Sequence, residues 1–296
     1  MSAKRSSVKK GWHIGVLGGS GVYEGIALEE QQQIDVKSPF GEPSGPVTTG
    51  RIGDVKLTFM ARHGAGHRLS PDSVNYRANI DVMKRCGVTD LLAISAIGSL
   101  REEMAPGSFV AVDQFIDRTR GRPSSFFGEG LVAHVAMADP VCERFSGLAA
   151  KAAEEAGATV HRGGTYVAME GPQFSTRAES RMYRAWGGDV IGMTGYPEAK
   201  LAREAELPYA MLAMVTDYDS WRDEEAGVET ADILAVLQAN ADMARNTLQH
   251  LVATLPKTRE ASPHDTALQY AIITAPEQRD PVLMAKLDAV AGRVLG

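Results

Sequence analysis

The sequence has few cysteines, no excess of positive charge and no long apolar run. Cys86 and Cys142 lie far apart and belong to no CxxC or Cys/His ligand pattern, which predicts free thiols in a reducing compartment. The formal net charge of −6 argues against a sequence-independent nucleic-acid binder, which needs a basic surface. No stretch approaches the roughly 20 apolar residues of a membrane span. We therefore expect a cytoplasmic protein that binds neither nucleic acid nor a membrane.

Metal and nucleotide-cofactor signatures are weak or missing as well. No set of His, Cys, Asp and Glu residues lies at ligand spacing, so we expect no bound metal. The glycine-rich segment after residue 17 is not a Walker loop, because no Lys-Ser/Thr pair follows it. The basic start of the chain, residues 1–11, lacks the apolar segment of a signal peptide and is predicted to be a disordered tail.

Hydrophobic residues make up 44% of the chain, enough for a sizeable core. Apolar strands alternate with amphipathic helices, which indicates a covered, largely parallel sheet. The sequence predicts an α/β fold, a single domain with a mixed, largely parallel central sheet surrounded by helices. The domain should span residues 1–255, with residues 256–296 as a helical appendage on it. The predicted strands cover residues 13–17, 55–61, 90–96, 109–112, 165–169, 189–193 and 209–215, and the predicted helices 71–86, 140–156, 176–186, 198–206, 231–253 and 283–294.

Three polar clusters follow predicted strands, at the sheet edge where open α/β folds bind ligands. Gly18-Gly19-Ser20-Gly21 suits either a phosphate site or a tight turn. Arg62-His63-Gly64 suits a doubly charged oxyanion, which arginine can grip bidentately, or a structural ion pair. Ser95-Ala96 adds a hydroxyl at a third strand end. Each cluster alone has a structural alternative of equal weight, but three together favour an anion site.

Three further clusters suit an aromatic, polar ligand. The segment Glu170–Thr176 places a ring and hydroxyls before a helix, which fits stacking on a flat base or a helix cap with a core phenylalanine. Gly192-Met193-Thr194-Gly195 ends a strand with a soft apolar side chain and a hydroxyl. Thr216-Asp217-Tyr218-Asp219 puts two carboxylates after a long apolar strand, which is an unfavourable end for a core element unless they bind something.

Over residues 13–255 the sequence resembles the trimeric purine nucleoside phosphorylases, and within them the 5'-methylthioadenosine phosphorylase branch. The strings that carry the resemblance are GVLGGSG, SPFGEPS, ARHGAGH, NYRANI, GSLREEMAPG, DQFIDRT, EGPQFSTRAES, GMTGYPE and TDYDSW. The resemblance implies a nucleoside phosphorylase-like fold and no cofactor, since inorganic phosphate is a co-substrate. It also implies a homotrimer, or a dimer of trimers.

The resemblance also implies site residues, position by position. Asp217, Arg62 and His63 would be catalytic. The expected phosphate ligands are Ser20, Arg62, His63, Ser95, Ala96 and Thr194. Met193 would lie under the ribose, and the expected base contacts are Phe174, Ser175, Asp217 and Asp219. His67, Thr230 and Ile233 would line the 5' pocket, which His134 would reach from the neighbouring subunit.

The function so implied is phosphorolysis of 5'-methylthioadenosine to adenine and 5-methylthioribose 1-phosphate, in purine and methionine salvage. Asp217 and Asp219 favour a 6-amino purine, because carboxylates accept hydrogen bonds from its exocyclic amine. A broader purine nucleoside phosphorylase acting on adenosine, inosine or methylthioinosine is the alternative. Gly192 and Thr230 are the two positions that leave this alternative open. Three other functions account for fewer of these residues: an NAD-dependent oxidoreductase, a catalytically inactive nucleoside-binding protein, and a nucleosidase that uses water.

Overall fold

The computed structural model describes residues 11–19, 25–222 and 230–295, with side chains in the last range described at residue 236 and from residue 239 onward. The described residues form one mixed sheet with helices on both faces. The predicted α/β class, with a mixed and largely parallel sheet, is confirmed. Its strands are β1 His13–Gly18, β2 Glu29–Ile34, β3 Val47–Ile52, β4 Val55–Ala61, β5 Asp90–Ser99, β6 Phe109–Val112, β7 Gln114–Asp117, β8 Val160–Arg162, β9 Thr165–Ala168, β10 Val190–Gly192 and β11 Tyr209–Asp217.

Strand β5 is the centre of the sheet, because three strands pair with it. It pairs in parallel with β1 over residues 90–93 on one side and with β11 over residues 91–98 on the other. Its last two residues, Gly98 and Ser99, pair antiparallel with β10, which continues in parallel to β9 and β7. Because the parallel strands β1, β4, β5 and β11 run in one direction, their carboxyl ends meet at a single edge.

In the described ranges seven α-helices cover the sheet, and two large apolar clusters lie between the helices and the sheet. On one face, Phe145 and Ala149 of one helix pack with Leu248 of the long fifth helix. On the other face, Ile80 of the first helix and Leu201 of the fourth belong to one cluster. The helices are α1 Tyr76–Arg85, α2 Glu143–Glu155, α3 Arg177–Ala185, α4 Gly195–Glu204, α5 Thr230–Thr254, α6 Pro281–Lys286 and α7 Asp288–Leu295.

Most predicted elements are present, with shifted ends. Helix α1 begins at Tyr76 rather than at residue 71, because the Asn75 side chain caps it by accepting from the Ala78 amide at 3.1 Å. Ser70, just before the predicted start, bonds the side chains of Asp72 and Ser73 in a turn. Strands β2, β3, β7 and β8 were not predicted, because they are short or polar: every residue of β2 is exposed.

The segment after residue 255 packs on the same core as α1 and α4. Leu287 and Val290 are at most 1% exposed and belong to that cluster. The predicted single helix over residues 283–294 is instead two helices, α6 and α7. The predicted tail falls almost entirely on residues 1–10, which lie outside the described residues. No helix within the described ranges is long and apolar enough to cross a membrane.

Candidate functional site

The candidate site residues lie along the carboxyl-terminal half of β5. The carbonyl of Ile94 receives a hydrogen bond from Arg62, the hydroxyl of Ser95 meets Thr194, and Gly98 lies against Asp217. A strand rises about 3.3 Å per residue, so Ser95 and Gly98 are about 10 Å apart. The candidate anion-binding groups and the aspartates therefore lie at different points along one strand.

Arg62 is a buried cation that is already paired. Its side chain donates from Nε and Nη2 to the two carboxylate oxygens of Glu198 at 2.8 and 3.0 Å. Nη1 donates to the Ile94 carbonyl and Nη2 to the Leu17 carbonyl. Four of the five guanidinium N–H groups are thus used within the described residues.

The predicted bidentate grip of Arg62 on phosphate is therefore corrected, because the fork of the guanidinium faces Glu198. Only one N–H on Nη1 is left for a phosphate oxygen among the contacts of the described residues. The structural ion pair, which was the alternative for this residue, is what the side chain forms. Glu198 was missed in the sequence because it lies 136 positions from Arg62, inside a helix.

Two hydroxyls, one from β5 and one from the start of α4, meet at the candidate anion site. The Ser95 and Thr194 hydroxyl oxygens are 3.3 Å apart, and Ala96 follows Ser95 on β5. Thr194 lies at the start of α4 and is only 3% exposed, but its side chain does not cap that helix. Each hydroxyl has one proton and can rotate to donate it to an anion bound beside the pair.

His63 adds a neutral imidazole beside Arg62. Its Nδ1 lies 2.8 Å from the Leu69 carbonyl, a contact that requires a proton on Nδ1. Burial, assisted by the charge of Arg62, lowers the pKa of His63 to about 4. His67 stacks on the His63 ring with 4.2 Å between ring centroids. The free Nε2 of His63 is consequently an acceptor at neutral pH, suited to a protonated phosphate oxygen.

The two aspartates after β11 lie against Gly98. A Cβ on Gly98 would lie 2.9 Å from Oδ1 of Asp217 and 3.3 Å from Cβ of Asp219, so only glycine leaves this space. The Thr216 hydroxyl and the Asp219 amide donate to Asp217 at 2.7 and 2.8 Å. Burial raises the pKa of both carboxyl groups above the ordinary value. Oδ2 of Asp219 is buried without a regular hydrogen-bond partner among the described residues, although the Ser175 and Ser180 hydroxyls lie beside that carboxylate.

The loop before α3 is a helix cap, and it leaves its phenylalanine at the surface. Thr176 and Glu179 form a capping box, as the cap interpretation required. The other half of that interpretation, a core phenylalanine, is wrong, because Phe174 is 43% exposed. Met193 reaches this loop: a Cβ on Gly171 would lie 2.4 Å from its sulfur.

Arg122 joins the same loop to Met193, and the sequence analysis did not single it out. Its guanidinium is buried and donates to the Met193 carbonyl at 2.6 Å and to the Glu170 carbonyl at 2.5 Å. Arg122 belongs to a coil segment without periodicity, so no sequence signal distinguishes it from a surface arginine.

Four predicted residues are not placed with the others. Ser20 and the side chains of Thr230 and Ile233 lie outside the described residues. His134 is exposed, and its amide donates to the Ala271 carbonyl, in a segment that pairs with the chain around residue 272. Across the described ranges, no three His, Cys, Asp or Glu residues cluster as metal ligands.

Comparison with known proteins defines the family. A family model described as the phosphorylase superfamily matches residues 13–254. The S-methyl-5'-thioadenosine phosphorylase of Cereibacter sphaeroides is 59% identical over 284 residues, which cover 95% of this chain and 98% of that protein. The enzyme of the same name from Bradyrhizobium diazoefficiens is 56% identical, with the same coverage. The chain belongs to the phosphorylase superfamily, as its sequence motifs predicted.

Solved structures agree with this assignment. A methylthioadenosine phosphorylase from an Antarctic soil metagenomic library superposes with a TM-score of 0.89 at 43% identity, covering 95% of this chain and 99% of that one. A mutant adenosine/methylthioadenosine phosphorylase of Schistosoma mansoni, in complex with methylthioadenosine, has a TM-score of 0.76 at 37% identity. It covers 82% of this chain and 91% of its own. The expected nucleoside phosphorylase-like fold is confirmed.

The depressed pKa of His63 predicts an acid-side loss of stability. The unfolded chain takes up this proton near pH 6.5, whereas the folded protein resists it until about pH 4. The contribution is complete above pH 6.5 and is lost as the pH falls to about 4. The free energy of unfolding in urea should fall for the wild type as the pH is lowered across this range. In His63→Asn that fall should be smaller by about 1–3 kcal/mol. Exposed His250→Asn is the control, and equal losses in the two variants would contradict the assignment.

Proposed function

We propose that the protein catalyses phosphorolysis of 5'-methylthioadenosine to adenine and 5-methylthioribose 1-phosphate. The observation that carries this proposal is the line along β5 that joins the Ser95–Thr194 hydroxyl pair to the Asp217–Asp219 pair about 10 Å away. The relatives that are 56% and 59% identical carry this activity in their names, which supports the same substrate here.

The anion end of the site would hold inorganic phosphate below C1' of the ribose. The Ser95 and Thr194 hydroxyls and the amide of Ala96 are its proposed donors, with Ser20 from the glycine-rich segment. Arg62 contributes one N–H, and the neutral His63 accepts from the protonated oxygen. Phosphate held here stabilises the positive charge that develops on the ribose as the glycosidic bond breaks, and a phosphate oxygen then bonds to C1'.

The aspartate end would take the leaving base. The electron pair of the C1'–N9 bond passes to the purine, and Asp217 delivers or shares a proton at N7. Its raised pKa favours this role, because a carboxyl group with a higher pKa is protonated more often at neutral pH. Proton donation of this kind contributes roughly 100- to 10,000-fold to the rate.

The acceptor groups at the aspartate end of the site would favour adenine over a 6-oxo purine. The buried Oδ2 of Asp219 suits the exocyclic amine of a 6-amino purine. A 6-oxo purine would set its carbonyl against this carboxylate, at about 1–3 kcal/mol per unsatisfied buried group. Phe174 would stack on the base, Ser175 would contact it, and Met193 would lie under the ribose.

The 5' end of the nucleoside would be enclosed by His67, Thr230 and Ile233, with His134 from a neighbouring subunit of a homotrimer or of a dimer of trimers. His134 is exposed in the single chain, as a cross-subunit contact requires.

His134→Ala should raise the KM for methylthioadenosine several-fold and leave the KM for phosphate unchanged, because phosphate binds at the other end. An active monomer in sedimentation velocity under assay conditions would contradict the cross-subunit contact. The free thiols of Cys86 and Cys142 support the proposed cytoplasmic location. The proposed role in purine and methionine salvage rests on the proposed reaction.

Phosphate dependence tests the reaction class. Adenine release from methylthioadenosine should require inorganic phosphate and yield methylthioribose 1-phosphate in equal amount. Adenosine should react more slowly, because its 5'-hydroxyl replaces the methylthio group that the proposed 5' pocket encloses. Methylthioinosine should react more slowly still, because its 6-oxo group would face the acceptor oxygens at the base. Release at the same rate in phosphate-free buffer would identify a hydrolase. Preference for methylthioinosine would overturn the specificity argument.

Replacing the proposed proton donor tests the role of Asp217. Asp217→Asn should lower kcat for methylthioadenosine by roughly 100- to 10,000-fold, because an amide cannot donate a proton to N7 as a carboxyl group does. The KM for phosphate should change by less than about twofold, since the carboxylate lies about 10 Å from the anion end. Asp113→Asn, away from β5's aspartate end, is the control. Unchanged turnover in Asp217→Asn would remove the assigned role.

A further inference from the structure

The turn between β10 and α4 holds Thr194 in an unusual way. Thr194 is the N-terminal cap residue of α4, yet its hydroxyl accepts no backbone N–H of that helix. The first turn is irregular, with Tyr196 at φ −137° and ψ 121°, so the amides of Thr194 and Gly195 lack helical partners. A threonine N-cap hydroxyl ordinarily accepts from the second or third amide of its helix and does not reach these two. Here a different side chain satisfies them.

That side chain is Tyr166, from β9. Its hydroxyl oxygen accepts from the Thr194 amide at 3.2 Å and from the Gly195 amide at 3.3 Å. The ring is fully buried and tilts against Phe115, with 5.5 Å between centroids. Parallel pairing of β9 with β10 places Tyr166 opposite Val190, two residues before Gly192. The phenol thus extends along β10 to the turn that follows it.

Gly192 provides the space that the phenol occupies. A Cβ on Gly192 would lie 2.2 Å from the Tyr166 hydroxyl oxygen and 2.8 Å from Cζ. Both distances are far inside van der Waals contact, and a fully buried ring has no free space to move into. The Tyr166 side chain therefore excludes any residue larger than glycine at position 192, and no left-handed backbone conformation is involved. The two residues form one device, which we call the Tyr166–Gly192 pair.

We propose that Tyr166 is a positioning residue for phosphate, acting through Thr194. By accepting from the two amides, its hydroxyl holds the backbone at Thr194 so that the Thr194 hydroxyl lies beside Ser95, at the proposed anion site. The proposal rests on the proposed phosphorolysis and adds to it a residue that never touches substrate. Without the phenol oxygen, the amides of Thr194 and Gly195 would lose their acceptor, and the turn that carries the Thr194 hydroxyl would no longer be held in this position.

Tyr166→Phe tests this inference, because it removes the oxygen and keeps the buried ring. The KM for phosphate should rise about tenfold, the effect of losing a hydrogen bond that orients a ligand group. The KM for methylthioadenosine should stay within about twofold of the wild-type value. Tyr196→Phe is the matched control: it takes a hydroxyl from a ring of the same aromatic cluster and leaves both amide hydrogen bonds in place.

A double-mutant cycle separates positioning from a general structural role. In a Thr194→Ala background no hydroxyl is left to orient, so adding Tyr166→Phe should change the KM for phosphate by less than about twofold. A tenfold effect in both backgrounds, or an equal rise in both substrates' KM values, would overturn the inference while leaving phosphorolysis intact. A wild-type protein that needs no phosphate would overturn both.

Gly192 gives an independent test by thermal unfolding. Gly192→Ala should lower Tm by several degrees, because its methyl group meets the Tyr166 hydroxyl. In a Tyr166→Leu background the same alanine should lower Tm much less, since the hydroxyl and the outer ring are gone. Additive losses would show that the tyrosine is not what requires the glycine.

Discussion

The buried ion pair between Arg62 and Glu198 is the interaction on which the site depends. Both side chains are almost fully buried, and an unpaired charge there would cost several kcal/mol. The guanidinium also bonds carbonyls of β1 and β5, while Tyr209 of β11 donates to Glu198 at 3.0 Å. Three strands and helix α4 must therefore meet in one arrangement for these charges to be satisfied. That arrangement sets the positions of Ser95 and Thr194.

This pairing also decides how the site can treat an anion. Because Glu198 neutralises Arg62 and His63 is neutral, the anion end offers oriented hydroxyl and amide dipoles with little net positive charge. Such donors need no reorganisation when charge develops, which is the form of stabilisation that acts most strongly in a buried site. The Tyr166–Gly192 pair serves the same requirement, because the phenol binds the backbone of the turn that carries the Thr194 hydroxyl.

Strand β5 is held by charge at its other end as well. Asp90 begins the strand, is fully buried and accepts from Arg259 and Arg144, each at 2.5 Å. Arg259 in turn binds Asp265 at 2.7 Å, so the segment after residue 255 is tied to the first residue of the central strand. Paired buried charges at both ends favour a single register of β5 against its neighbours, since a shift would leave carboxylates or guanidinium groups unpaired.

The sequence by itself determined the α/β class, the central strands and the polar clusters at their ends, because apolar runs and glycine-hydroxyl pairs are local signals. Its motifs also determined the family. It predicted neither the polar strand β2, which has no apolar pattern, nor the partner of Arg62, which lies in a distant helix. From the local pattern alone, the arginine–histidine pair could be interpreted equally well as an anion site or as part of a structural ion pair. Only the tertiary structure decided that the fork of Arg62 faces Glu198 and that the Tyr166 hydroxyl binds the turn at Thr194. Both contacts join residues that are far apart in the sequence, so only packing brings them together.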